Sequence, residues 1–506
     1  MTPRSRRDPF LWSAALVLAV VSLLPVWGPR LLPMLDQPNH LAAIQVWNKL
    51  ADPTWGLQRF YESSTVPVPY WGYYFPVHVL SSVLDVEVAN KLFLSVYVLA
   101  IPASVAYLAS SLGRSGWVCL LVFPLAFNHS WAWGFLSYVP GMPLVLFSLG
   151  LLARYFRLPT NPRLAAFFAA LTATYFMHLL PWIALGALAT LYVVGQLRPW
   201  SRSVRVAGVL LASLLFAVWN TVYCAETHRT VDGHFRVQAA WLPFLQVVRE
   251  LPSRILQRWD GALVANGVTV VLGLSLLALA WTGRNEPRSG RSFIERWFPE
   301  LCAGLMLGAY LFMPVKLVQP AWIWFVNTRY LALAGLFAAV LVRGPIEGRR
   351  RLLLLPAVLA SLFYMGALAK QYLDFNTRAA GIVEVMKSVP RGSNTLTLLL
   401  GGNTDPALDA EYVPYNEYHS YPTVWSGGYD AYGWDLGFPY RMTQHLPTPR
   451  WNAPAQFSQR AHGRFFDFVL THNEPRDHSV FPGREAKVPL VAHAGTWRLY
   501  RTLGVE

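Results

Sequence analysis

Leu11-Trp12-Ser13-Ala14-Ala15-Leu16-Val17-Leu18-Ala19-Val20-Val21-Ser22-Leu23-Leu24-Pro25-Val26-Trp27, followed closely by Leu35-Asp36-Gln37-Pro38-Asn39-His40-Leu41, decides how this chain folds. The first segment carries no charge and is long enough to cross hydrocarbon as a helix, which takes about 20 residues. Apolar runs of roughly 17–22 residues recur almost to residue 370, the pattern of a polytopic α-helical membrane protein. The second segment sets a carboxylate and an imidazole where the first span meets water. Ionisable groups there are costly to place and useful for chemistry.

Composition agrees. Of 506 residues 54% are hydrophobic and 14% charged, against about 25% charged in soluble domains. The mean hydropathy is +0.33. The 21 Trp, 23 Tyr and 28 Phe suit interfacial belts and outer loops. A net charge of +15 suggests nucleic acid at first sight. It is spread in short clusters between apolar runs, where it orients spans and meets anionic lipid, so nucleic acid is set aside. Cys119, Cys224 and Cys302 have no metal or redox spacing and form no disulfide framework.

About eleven spans are expected, near 10–28, 88–110, 116–128, 134–153, 164–178, 180–197, 205–223, 262–282, 299–314, 329–343 and 351–369. The N-terminal Arg4-Ser5-Arg6-Arg7 resembles a signal-peptide start, but Gly28-Pro29-Arg30 makes a poor cleavage site, so the first span is read as retained. With the N-terminus in the cytoplasm, every inside loop is basic. Arg114, Arg154, Arg157, Arg163, Arg198, Arg202, Arg205, Arg284, Arg288, Arg291, Arg296, Arg343, Arg349, Arg350 and Arg351 all fall there. An odd span count sends the tail outside. Two parts follow: a membrane domain, 1–370, and a small extracytoplasmic α/β domain, 371–506. The latter is anticipated from strand-like pieces at Thr395–Leu400, Phe465–Leu470, Val488–Ala492 and Trp497–Tyr500. Outer loops cover 29–87 and 224–260. Within the first, Pro38 to Ala51 reads as an interfacial amphipathic helix with Leu41, Ile44, Trp47 and Leu50 on one face.

Candidate functional residues gather at that outer side. Asp36 is either the cap of the helix beginning at Pro38 or a reactive carboxylate. His40, one turn on, orients that carboxylate, binds acceptor or metal, or sits at the interface. His78, Asn128, His129 and His178 border outer turns and are candidate substrate contacts, with structural roles as the alternative. Lys316 and Arg329 are cations in apolar surroundings at the outer boundary, suited to a phosphate or to snorkelling. Glu226, His228 and Arg229 open the 224–260 loop; Glu226-x-His228 offers two metal ligands, too few to define a site.

The first span, the Asp36 element, the 38–51 helix, the span count and the outer tail together resemble the GT-C superfamily of polyprenyl-phosphate-sugar-dependent glycosyltransferases, which includes bacterial protein O-mannosyltransferases and the lipid A aminoarabinose transferase. Phe466-Asp467-Phe468-Val469-Leu470 and Trp497-Arg498-Leu499-Tyr500 look like the end of its bacterial members' tail domain, and Arg329-Tyr330-Leu331 is similar to an arginine before a late span. The resemblance implies an inverting transferase in the bacterial inner membrane. Asp36 would be its general base, assisted by His40, with Lys316 and Arg329 on the donor phosphate. Gln37 stands where a second acid often follows. The implied partners are a polyprenyl-phosphate-linked sugar, a lipid, glycan or protein acceptor, and membrane lipids. No cofactor is required, and a divalent metal is left open. Alternatives are a lipid-linked glycan polymerase, for which Arg229, Arg236, Arg249, Arg254 and Arg258 speak, a flippase or transporter, and a non-catalytic relative.

Overall fold

The computed structural model describes residues 8–64, 66, 68–196, 199–227, 238–258, 262–286, 292–319, 323–401, 413–434, 438–474, 480–481 and 488–502. They fall into two compact units. One comprises Met1–Val26, Pro69–Tyr73 and Leu94–Leu368; the other comprises Trp27–Val68, Tyr74–Phe93 and Ala369–Glu506.

The first unit is helical. Among the described residues five helices are long and apolar enough to cross a membrane: Pro9–Trp27, Val86–Ser111, Trp200–Trp219, Leu263–Thr282 and Gly348–Ala379. Their outer faces are bare hydrocarbon. Leu16, Val20, Leu211, Leu215, Leu263, Leu277 and Phe363 are all exposed, a surface that water would not tolerate over such an area. Shorter helices pack among them at Gly141–Arg157, Asn161–Met177 and Leu179–Val194, as does the Phe293–Phe312 and Val326–Ala339 pair. Small residues allow close approach. A Cβ on Gly150 would come within 2.6 Å of the Tyr107 ring, and one on Gly141 within 2.6 Å of Pro181.

Two expectations need correction here. Residues 116–128 do not form an α-helical span. They form two short 3₁₀ turns, Gly116–Leu121 and Phe123–Phe127, buried throughout. Pro124 lacks an N–H and clashes with the carbonyl four residues back, which breaks a helix at that point. The short run is therefore core rather than lipid-facing. The second correction concerns the helix after Asp36. It exists, as Gln37–Lys49, but it does not lie on an interface: every residue from Gln37 to Val46 is buried. Its polar side is packed within the second unit, against Tyr418–Ser420, Tyr421–Ser426 and Tyr440–Met442. A surface helix with two apolar faces occurs instead in the 224–260 loop. Phe244–Ile255 sets Val247 against Tyr310 and Leu331, while Phe244, Leu245 and Val248 stay exposed.

The tail of the second unit holds a four-stranded sheet. Thr395–Leu399 pairs in parallel with Phe468–His472, which pairs antiparallel with Trp497–Arg501, and Leu490–Ala494 forms the far edge. Register sets Leu396 opposite Val469 and Leu470 opposite Leu499. Val469 and Leu470 point to opposite faces, and both faces of the Phe468–His472 strand are buried. Helix Gly381–Met386 packs on the two C-terminal strands. Trp497, fully buried, has its ring centroid 4.3 Å from that of His472 and lies parallel to Tyr418 at 6.1 Å. Trp497→Ala empties the largest side chain of this core and is expected to cost about 3–5 kcal/mol. Thermal unfolding followed in the tail by near-UV dichroism checks this; an unshifted midpoint would contradict it.

Candidate functional site

In the second unit, Asp36 sits at the head of Gln37–Lys49. Its backbone is already helical (φ −79°, ψ −11°) and its carbonyl accepts from His40 N at 3.2 Å. The carboxylate makes no capping hydrogen bond to the first turn. Pro38 explains part of this, because one of the N–H groups a cap would take is missing. The capping reading of Asp36 therefore fails.

The residues after it are buried and committed. His40 Nδ1 lies 2.7 Å from the Tyr74 hydroxyl, and its ring meets Trp434 edge-on at 5.2 Å. Asn39 accepts from Trp434 N at 3.3 Å and donates through Nδ2 to Glu417. Glu417 also takes a hydrogen bond from Asn416 at 2.6 Å. His419 lies between two carboxylates, with Nε2 3.0 Å from Glu417 and Nδ1 3.1 Å from Asp430. Tyr432 N donates to Asp430 at 3.3 Å, and Asp430 N donates to the Tyr61 hydroxyl at 2.8 Å. His78 closes the other end of the helix. Its ring stacks on Trp47 at 4.1 Å and 7°, and its Nδ1 pairs with Asn48.

In the first unit, four expected residues meet around Trp324-Phe325. The Lys316 ammonium lies 3.9 Å from the Trp324 ring centroid. Arg329, 5% exposed, donates to the Trp324 carbonyl at 3.2 Å and packs its guanidinium over Phe135 at 3.7 Å. Tyr138 donates to the Arg329 carbonyl. Arg329 lies in the first turn of Val326–Ala339, where the helix dipole is positive, so the arginine and the helix end repel each other and together favour an anion. His178 sharpens this. Its Nδ1 accepts from Leu180 N at 3.0 Å, so in the neutral ring the proton is on Nε2. That Nε2 lies 3.3 Å from Arg329 Nη1. Two donors therefore converge where an acceptor oxygen would satisfy both.

His129 serves differently. Its Nε2 accepts from Trp133 at 3.1 Å and faces Arg254 Nη1 at 2.8 Å, while Arg254 pairs with Glu250 at 2.8 Å. Burial first, then the charges of Arg254, Arg258 and Arg329, hold the His129 pKa well below its ordinary value. Asn128 is a helix cap, accepting from Ser130 N and Trp131 N at 2.9 and 3.2 Å. Glu226 lies in the Trp200–Thr227 helix with its side chain outside the described residues, as are His228 and Arg229. Among the described residues no group of three His, Cys, Asp or Glu is placed to hold a metal.

Two left-handed residues, Tyr70 and Phe325, fall beside the first-unit group. Three non-glycine residues have positive φ among the described residues: Tyr70 (83°), Phe325 (54°) and Asn473. Tyr70 meets His178 edge-on at 5.2 Å. Phe325 packs on Trp133 at 4.4 Å and on His129 at 5.0 Å. Such conformations cost on the order of 1–3 kcal/mol each and collect at binding sites.

The sequence reading missed Tyr74, Glu417, His419, Asp430 and Trp434 in the second unit, and Tyr70, Tyr138 and Phe325 in the first. Glu417-x-His419 repeats the spacing noticed at Glu226-x-His228, and that was the available signal. The pKa of His419 sums opposing effects. Burial disfavours its charged form, but hydrogen bonds and charges from Asp430 and Glu417 outweigh this and push it up to about 10.

The fold is similar to that of ArnT from Cupriavidus metallidurans in its undecaprenyl-phosphate-bound and apo structures. The one bound to undecaprenyl phosphate has a TM-score of 0.55 and 11% identity, covering 98% of this chain and 99% of that one. The apo structure has a TM-score of 0.53 and 11% identity, covering 98% of each. No family model matches the sequence, and no curated protein matches it. Over nearly its whole length the chain thus shares the fold of ArnT.

The raised His419 pKa fixes the sign of a pH effect. A group with a folded pKa above its unfolded value of about 6.5 contributes fully below that pH, and its contribution is lost as pH rises through the folded value. Tail stability should fall between roughly pH 6.5 and 10, by up to about 1.4 kcal/mol per pH unit from this group. His419→Gln should be less stable at pH 6 and flat across that window. Denaturant unfolding of both proteins at several pH values checks this; parallel profiles would contradict it.

Proposed function

We propose that this protein is an inverting GT-C glycosyltransferase that moves a sugar from a polyprenyl-phosphate donor to an acceptor at the outer face of a bacterial inner membrane. The fold carries the reading: nearly the whole chain follows that of an ArnT bound to undecaprenyl phosphate. The local chemistry is consistent with it. In this reading the N-terminus of the membrane domain, 1–370, is cytoplasmic, and the tail, 371–506, is periplasmic. Loop arginines support that orientation. Arg114 and Arg343 share Glu300 at 3.3 and 3.2 Å, and Arg351 pairs with Asp8 at 3.0 Å.

Asp36 is the general base. Its carboxylate takes the proton from an acceptor hydroxyl as that oxygen bonds to the anomeric carbon. The bond from that carbon to the phosphate oxygen breaks, and its electron pair leaves with the polyprenyl phosphate. Direct displacement inverts the configuration. Arg329, Lys316 and His178 Nε2–H hold the phosphate and stabilise the charge that grows on it. His40, fixed by Tyr74 and Trp434, assists Asp36.

Undecaprenyl phosphate is the probe for the phosphate contacts. Arg329→Ala and Lys316→Ala should each weaken its binding to the full chain in nanodiscs by about 10-fold or more. Normal affinity in both variants would refute the assignment. Asp36→Asn should bind it within about twofold of wild type, yet release undecaprenyl phosphate from undecaprenyl-phosphate-linked sugars about 100-fold more slowly. Undiminished release would remove Asp36 from the mechanism.

A further inference from the structure

Four buried polar side chains of the second unit form a chain with no part in the transfer described above. Asp430, Glu417 and Asn39 are 2, 8 and 2% exposed, and His419 is 7% exposed. A buried carboxylate is tolerated only when paired, and here one imidazole ring lies against two of them. Ser420 Oγ, 3.1 Å from His419 Nδ1, and the Tyr432 ring, edge-on at 5.2 Å, complete the surroundings of the ring. Asp430 Oδ2 has no hydrogen-bond partner among the described residues, so the ring is a principal counterweight to that charge. Tyr432 N donates to the same Oδ1 that faces His419, and the Asp430 backbone N–H donates to the Tyr61 hydroxyl. From Glu417 the chain passes to Asn39, one helical turn beyond Asp36 and next to His40.

We propose that His419 is a positioning residue: clamped between Asp430 and Glu417, it makes Glu417 a fixed post that holds Asn39, and so sets where the head of Gln37–Lys49 presents Asp36 and His40. This rests on the reading of Asp36 as the base. The geometry makes the coupling short. Asn39 is three residues from Asp36 on a rigid helix, a rise of about 4.5 Å. Its amide is committed at both ends, to Glu417 and to Trp434 N, and Trp434 also packs on His40. Loss of the post frees the helix head to shift, and a misplacement of about 1 Å is enough to cost on the order of 100-fold in rate.

Hydrogen exchange of the full chain in nanodiscs tests this without knowledge of the acceptor. Asn39→Ala and His419→Gln should each accelerate exchange across residues 37–49 by about 10-fold or more, and the double variant no further than the stronger single. Exchange in Thr395–Leu399 and Phe468–His472 should stay unchanged. In the release assay each single variant should lower kcat about 10–100-fold with KM within about twofold. Unchanged exchange over 37–49 in both singles, or additive effects in the double, would overturn the proposal. Should His419→Gln loosen the sheet as well, Asn39→Ala alone decides, since it leaves the Glu417–His419–Asp430 group intact. Asp36→Asn separates the two claims. It should leave exchange over 37–49 as in wild type; if it also leaves release unchanged, the base assignment falls while the exchange results still judge the post.

Discussion

Burying a polar helix is the constraint on which the second unit is built. Gln37–Lys49 begins with glutamine, proline, asparagine and histidine, all sealed from water. An amide or imidazole taken from water without a partner costs about 1–3 kcal/mol, so the helix can stay there only where partners are already fixed. The partner of His40 is Tyr74, while those of Asn39 come from the far end of the sequence: Glu417, Trp434 and, through Glu417, His419 and Asp430. The link from Asn39 to Glu417 crosses 378 positions of sequence. The tail is therefore more than an appendage. It completes the environment of the residues following the proposed base.

The first unit meets a different cost. Arg329 is buried over Phe135 at the positive end of a helix, with the proton of His178 pointing toward it. The ring contact is favourable, but the guanidinium, the helix end and the imidazole proton repel one another, and the left-handed backbone at Tyr70 and Phe325 adds to the strain. Structures keep such arrangements where binding repays them. An anionic oxygen at that point would accept from both donors at once and offset the charge, which is the basis for proposing a phosphate there.

The sequence made some of this legible because the signals were local. Long apolar runs pointed to the helical membrane part, although of about eleven expected spans five described helices are long and apolar enough to cross, and β-branched and aromatic pieces located all four tail strands to within a few residues. A carboxylate after the first span drew attention to Asp36, and rare cations in apolar settings to Lys316 and Arg329. The misreadings were nonlocal. The helix at 37–49 shows an apolar stripe at Leu41, Ile44 and Trp47, so it reads as interfacial; only the tail residues that cover its polar side reveal otherwise. Pro124 carried a local warning against a helix at 116–128 that hydropathy alone overrode. Glu417 and His419 resemble ordinary loop residues until Asp430 and Asn39 are brought to them, and no spacing rule joins positions so far apart.

The central claim is that this chain is built to hold a charged lipid head, and the phosphate itself is the feature to vary. Binding of undecaprenyl phosphate and of undecaprenol to the full chain in nanodiscs differs by that group alone. The account predicts that the phosphate binds at least about 100-fold more tightly, the scale of a buried cation's contact with an anion, and that Arg329→Ala erases most of the difference. Equal affinity for the two lipids would contradict it.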